Sequence, residues 1–80
     1  MNAKEAVAKR ILDLINDRDI TINGLAYKAG ISPSTIYSML NQKSQNPGIV
    51  SIQIICEGLD ITLREFFNCE IFDNIEQEFD

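Results

Sequence analysis

Apolar residues recur along this chain every three or four positions, a spacing that predicts helices with one buried face. Clear examples cover residues 3–16 and residues 49–58, and Gly58 is expected to end the second of these. The residues at inward positions are Val7, Ile11, Leu14 and Ile15 in the first segment and Ile49, Ile52, Ile55 and Cys56 in the second. The pattern therefore predicts an all-α fold.

Between these segments, residues 21–41 predict two short helices joined by a tight turn. Thr21 can cap the first helix, and Gly30 is placed to stop it in a left-handed conformation. Ser32 is a suitable N-cap for the next helix, whose first position suits Pro33 because no backbone N–H is needed there. Inward positions are held by Leu25, Ala26 and Ala29 in the first helix and by Ile36, Met39 and Leu40 in the second.

The second of these helices, residues 33–41, directs uncharged hydrogen-bonding side chains away from the predicted core. Ser34, Ser38 and Asn41 follow the spacing i, i+4, i+7, and Thr35 and Tyr37 flank them. Hydroxyl and amide groups of this kind can contact both base edges and phosphates. In a plain helical bundle the same residues would only be solvated, so this face favours DNA binding without proving it.

These two helices resemble the helix-turn-helix of phage repressor/Cro-like (XRE-type) regulators. The resemblance rests on Leu25-Ala26, Gly30, Ile31, Ile36 and Met39, and residues 55–67 also resemble the end of the five-helix domain of that family. The resemblance implies a five-helix repressor-like bundle over residues 1–68 and a sequence-specific transcription regulator, usually a repressor, that binds double-stranded DNA.

The resemblance also implies which residues contact DNA. Residues 33–41 would be the recognition helix in the major groove, with base contacts from Ser34, Thr35, Tyr37 and Ser38. In relatives, the loop after the recognition helix holds the sugar-phosphate backbone, and the free backbone N–H groups at the start of the preceding helix can bind a phosphate here. The expected phosphate contacts here are Thr21, Asn23, Asn41, Gln42, Lys43 and Ser44. Two positions depart from the family pattern: Ile22 stands where many relatives carry a Gln that contacts DNA, and Gly24 replaces a longer polar residue.

The last part of the chain predicts a fifth helix and an extension. Thr62 and Glu65 form a capping box, which is a specific signal for the start of a helix. Residues 69–80 are acidic but too apolar for a plain disordered tail, and their i, i+4, i+8 stripe predicts a short helical extension. Together with Val50 and Ile54 of the fourth helix, the stripe gives possible contacts in a homodimer: Val50, Ile54, Ile71, Ile75 and Phe79. Packing of the tail within its own subunit is the alternative.

Charge is distributed unevenly along the 80 residues, whose formal net charge is −5. Residues 1–60 hold six acidic and six basic groups, so the whole excess of acid lies in residues 61–80. Between Asp19 and Glu57 there is no acid, only Lys28 and Lys43. Salt screens charges beyond about 8–10 Å, so the candidate DNA surface is mildly positive on an acidic protein.

Other functional classes find less support. Two cysteines and no histidine are too few for a four-ligand zinc site, and the sequence implies no cofactor and no small-molecule ligand. An enzyme is not expected because no nucleophile has a base beside it. The absence of a long apolar run predicts a cytoplasmic protein that does not span a membrane. The main alternative is a protein-interaction module that keeps the fold without binding an operator, which would account for Ile22, Gly24 and the net acidity.

Overall fold

The computed structural model describes residues 1–41 and 47–77, and over these residues the fold is helical. Its elements are α1 (Ala3–Asp17), α2 (Ile22–Ala29), α3 (Pro33–Leu40), α4 (Ile49–Leu59), α5 (Leu63–Phe67) and a single 3₁₀ turn (Glu70–Phe72). The five-helix prediction is therefore confirmed, with boundaries that differ from the predicted ones by a residue or so. No helix in the described ranges is long and apolar enough to cross a membrane.

Side-chain capping bonds occur at the starts of three of the five described α-helices, α1, α2 and α5. Asn2 and Glu5 form a capping box at the start of α1, and Thr62 and Glu65 form the predicted one at α5. Two backbone N–H groups at each of these helix starts therefore have partners, which supports a helix as short as α5. Glu65 accepts hydrogen bonds from the backbone N–H and the hydroxyl of Thr62, which lower the pKa of its carboxyl.

The core lies where all five helices meet. Fully buried residues from the helices include Ile11, Leu25, Ile36, Ile55 and Phe66, so each helix contributes at least one. Cys56 is also in the core, where burial raises the pKa of its thiol. It is therefore a small protonated core residue, as the apolar pattern predicts.

The prediction that Gly58 ends the fourth helix is wrong. Helix α4 continues through Leu59, and Asp60 takes the left-handed conformation instead, with φ 60° and ψ 44°. Gly58 is buried where α4 approaches α2, and a Cβ atom at this position would lie 2.9 Å from Cβ of Ala29. The glycine is thus required by a close approach of helices rather than by a turn.

Ile49 is also placed differently from the prediction. It was expected to face inward with Ile52, but 57% of its surface is exposed. It occupies the first position of α4, three residues before the buried Ile52, and it is not part of the core cluster. Apolar spacing predicts which face of a helix a side chain lies on. It does not predict whether another part of the protein covers that face at the end of the helix.

In the described part of the tail, which ends at residue 77, the chain forms one helical turn, shorter than its apolar stripe predicts. Phe72, which is not in that stripe, packs on the core, and its ring centroid lies 5.0 Å from that of Phe67. After this turn the chain reaches the start of α1, where Glu76 pairs with Asn2 in an isolated parallel bridge. Ile75 is 40% exposed, and Phe79 lies outside the described residues. Aromatic packing and the bridge therefore replace the longer helix that would align Ile71 and Ile75.

Candidate nucleic-acid interface

The turn between α2 and α3 is built as the sequence predicts. The hydroxyl of Thr21 accepts a hydrogen bond of 2.9 Å from the backbone N–H of Gly24 and so caps α2. Gly30 follows α2 in the left-handed conformation with φ 73°, and the N–H of Ile31 returns to the carbonyl of Ala26 at 3.1 Å. Pro33 then occupies the first turn of α3. The turn therefore fixes the angle at which α3 leaves α2.

Helix α3 has one face in the core and one open to solvent. Ile36 and Met39 are buried, and Leu40 packs partly against the core. The predicted base-contacting residues Ser34, Thr35, Tyr37 and Ser38 are all exposed, and Tyr37 keeps 55% of its surface in solvent. The structure thus brings these four residues together on one accessible surface, which we call the α3 face.

One prediction at the start of α3 needs correction. Ser32 occupies the N-cap position with extended backbone, but its side chain makes no capping hydrogen bond. Its Oγ lies instead 2.9 Å from Oγ of Ser34 and 3.1 Å from Oγ1 of Thr35. Sequence reasoning missed this cluster because a serine hydroxyl can bond either to the backbone or to a neighbouring hydroxyl, and only the spacing i, i+2, i+3 hints at the second arrangement.

The predicted phosphate-contacting residues divide into two groups. Thr21, Asn23 and Asn41 are exposed at the ends of α2 and α3. The Oγ1 of Thr21 accepts the capping bond, which leaves its own proton available for another acceptor. Gln42, Lys43 and Ser44 lie outside the described residues, so their role stays a prediction.

Two basic residues of α1 are engaged within the fold. Arg10, a basic residue of α1, donates from Nε to the carbonyl of Phe66 at 2.7 Å and from Nη2 to that of Glu65 at 2.9 Å. Lys9 pairs with Asp13 at 3.2 Å. Within residues 1–41 and 47–77, no three His, Cys, Asp or Glu side chains come together to hold a metal ion.

The acidic tail lies against α1. Its 3₁₀ turn packs on that helix, and Oε1 of Glu76 lies 2.7 Å from the amino group of Met1. The exposed residues of α3 are open to solvent. Glu76 is thus held at the start of α1, while the α3 face, which carries no acid, is accessible.

A second exposed surface lies at the start of α4. Val50 is 64% exposed, Ile49 is 57% exposed, and Ile54 is half-buried one turn further on. The sequence predicted Val50 and Ile54 as candidates for contact with a second subunit. Ile49 enlarges that surface. Tyr27, with 88% of its surface exposed on α2, is another large side chain in solvent that the periodicity did not single out.

Comparison with known proteins agrees with this geometry. The model of the Cro/C1-type HTH DNA-binding domain family matches residues 10–71. Prophage Lp1 protein 11 is similar in structure, with a TM-score of 0.81, 30% identity, and coverage of 94% of this chain and 100% of that chain. No curated protein sequence matches the chain.

Two further structures are similar in fold at lower sequence identity. The wild-type restriction-modification controller protein C.Esp1396I has a TM-score of 0.74 and 24% identity, covering 88% of both chains. The same protein bound to a 19 base pair DNA duplex also has a TM-score of 0.74 and 24% identity, covering 88% of this chain and 91% of that chain. Both likenesses extend over most of the helical bundle described above.

Proposed function

Because the chain belongs to the Cro/C1-type helix-turn-helix DNA-binding domain family and is a sequence-specific DNA-binding transcription regulator, we propose that α3 enters the major groove. The observation that carries the proposal is the α3 face, where four uncharged hydrogen-bonding side chains are exposed opposite Ile36 and Met39. A helix fits the width of the major groove, and hydroxyl groups there can bond to base edges.

In this proposal Ser34, Thr35 and Ser38 contact base edges, and Tyr37 lies beside them at the border with the backbone. Thr21, Asn23 and Asn41 contact phosphates from the ends of α2 and α3, together with Gln42, Lys43 and Ser44 of the following loop. The exposure of Thr21, Asn23 and Asn41 supports this division. Phosphate contacts fix the register of the protein on DNA, and base contacts provide the discrimination.

We further propose a homodimer that acts as a repressor. Single Ser and Thr contacts discriminate weakly because a hydroxyl both donates and accepts, so two half-sites would be needed for specificity. A two-fold dimer would space its recognition helices by about 34 Å, one turn of DNA. The exposed apolar surface of Ile49, Val50 and Ile54 supports dimer contact there. Ile71, Ile75 and Phe79 are the candidates from the tail. A bound dimer would repress by excluding other proteins from its operator.

Selection of bound sites from random duplexes tests the proposal. The expected result is a palindromic site with half-sites about one helical turn apart. Binding to random duplex DNA should weaken as salt rises, because phosphate contacts release counterions. Absence of binding at low salt, or affinity independent of salt, would refute it.

Matched variants separate the two kinds of contact. Lys43→Ala should weaken binding on all sequences alike. It should also reduce the salt slope, which is the slope of log binding constant against log salt concentration, by about 1. Ser38→Ala should instead change the sequence preference with little effect on the salt slope. The assignment of roles fails if both variants lose affinity equally on selected and random duplexes.

A further inference from the structure

The three hydroxyls at the start of α3 form a connected cluster, which we call the Ser32 cluster. Ser32 is its centre, with one contact of 2.9 Å to Ser34 and one of 3.1 Å to Thr35. The backbone N–H of Thr35 donates to the carbonyl of Ser32 at 3.1 Å. This backbone bond and the helix hold the three side chains at fixed spacing, so the cluster is part of the local fold.

Counting protons shows how the cluster is constrained. Each hydroxyl has one proton to donate and two lone pairs that accept. Ser32 can donate to only one neighbour, so when both contacts are hydrogen bonds, at least one of Ser34 and Thr35 donates its proton to Ser32. That residue then has only lone pairs to present outward. At most one of Ser34 and Thr35 can therefore donate a proton to a ligand.

We propose that Ser32 is a positioning residue that couples the hydroxyls of Ser34 and Thr35, so that together they present at most one donor to DNA. The inference rests on the proposed function, in which these two residues contact base edges. Ser32 itself need not touch a base. The side chain of Ser32 makes no capping bond to the backbone of α3, so its hydroxyl can bond to Ser34 and Thr35 instead.

The coupling has a consequence for sequence preference. In the major groove adenine presents one acceptor and one donor, whereas guanine presents two acceptors, N7 and O6. One donor and one acceptor from the cluster match adenine. The two acceptors of guanine need two donated protons. Ser34 and Thr35 can both donate to the base only if one of them gives up its hydrogen bond with Ser32. The cluster therefore disfavours guanine where Ser34 and Thr35 both contact bases.

The test compares the unmodified protein with single-residue variants on duplexes that carry adenine or guanine at the contacted positions. Site selection with the unmodified protein gives the preferred site, and Ser34→Ala and Thr35→Ala identify the base pairs that these residues contact. At those base pairs the ratio of Kd for guanine to Kd for adenine is measured for the unmodified protein, Ser32→Ala and Ser32→Thr. Ser51→Ala is the matched control, because it removes a serine hydroxyl from α4, outside all the proposed DNA contacts.

Ser32→Ala frees the protons of both Ser34 and Thr35, so the ratio of Kd for guanine to Kd for adenine should fall. The expected decrease is about 2- to 10-fold, the effect of one hydrogen bond of ordinary net strength. Ser32→Thr keeps a hydroxyl and should retain the ratio, as should the control Ser51→Ala. All variants should unfold at nearly the same temperature as the unmodified protein.

Three results would count against the proposal in distinguishable ways. An unchanged ratio in Ser32→Ala, or an equal loss of affinity on every duplex, overturns the coupling while leaving the proposed function intact. Failure of Ser32→Thr to retain the ratio also overturns it. If Ser34→Ala and Thr35→Ala leave the sequence preference unchanged, the proposed base contacts are wrong, and the coupling falls with them.

Discussion

Replacing Gly58 by alanine should push helices α2 and α4 apart and destabilise the domain. The new Cβ would lie 2.9 Å from Cβ and 3.1 Å from Cα of Ala29, and 3.0 Å from Cδ1 of Leu25. Carbon atoms prefer separations of about 3.5–4.0 Å, so one helix must move by about 0.5–1 Å. Ala29 has no side-chain torsion with which to move aside, and Leu25 is fully buried.

The magnitude follows from two opposing effects. Overpacking a core costs about 1–3 kcal/mol, and the absence of a flexible neighbour places this site in the upper part of that range. Alanine also favours a helix interior over glycine by about 1 kcal/mol. The net loss in the free energy of unfolding should be about 1–2 kcal/mol. For a domain of this size, that lowers the melting temperature by about 5–15 °C.

Thermal and urea unfolding followed by circular dichroism measure this effect. Gly48→Ala is the matched control, since a Cβ there would meet nothing within 4 Å among the described residues, and its stability should change by less than about 0.5 kcal/mol. Ala29→Gly combined with Gly58→Ala removes the shortest contact. The double variant should therefore be less destabilised than the sum of the single effects. Stabilisation by Gly58→Ala of about 1 kcal/mol, as for an exposed helix glycine, would refute the reasoning.

Three further changes test other parts of the fold. Arg10→Gln removes two hydrogen bonds to carbonyls of α5 and should cost about 1–2 kcal/mol in unfolding experiments, whereas Lys9→Gln should cost under about 0.5 kcal/mol because its ion pair is exposed. Asp60→Gly should raise the stability by about 1 kcal/mol because Asp60 is held at φ 60°, and a lower melting temperature would contradict this. The lowered pKa of Glu65 means that its stabilising effect is present above the ordinary glutamate pKa of about 4.3 and lost as pH falls through the lowered value. Glu65→Gln should consequently flatten the decline in melting temperature as the pH falls below about 4.3, and an unchanged slope would exclude this cause.

Local sequence signals predicted much of this fold because each depends on only a few adjacent residues. The caps at Thr21 and Thr62 and the left-handed Gly30 were all expected from residue type and spacing. Gly58 was misinterpreted because a glycine near a helix end suits both a turn and a close helix approach. Only the position of Ala29 on another helix decides between the two.

The candidate site was predictable to a similar degree. Helical spacing placed Ser34 and Ser38 on the exposed side of α3, and the structure has them there. The side-chain partners of Ser32 were not predictable, because the hydroxyl has several acceptors and donors within reach. Arg10 is comparable: a basic residue in an exposed pattern suggests contact with phosphate, but carbonyls 55 and 56 residues away at the end of α5 take its donors.

The scarcity of positive charge makes the hydroxyl groups matter more for the proposed function. Between Asp19 and Glu57 only Lys28 and Lys43 can neutralise phosphate. The logarithm of the binding constant falls with the logarithm of the salt concentration by about 0.9 for each phosphate that is neutralised. Two lysines therefore give a slope of about −2 for one subunit and about −4 for a dimer. Attraction to arbitrary DNA is then modest, since the excess acid of residues 61–80 adds nothing favourable. The proposed function therefore assigns discrimination between an operator and other DNA to the uncharged α3 face, where the proposed coupling lets the orientation of a few hydroxyl protons decide which base edges are matched.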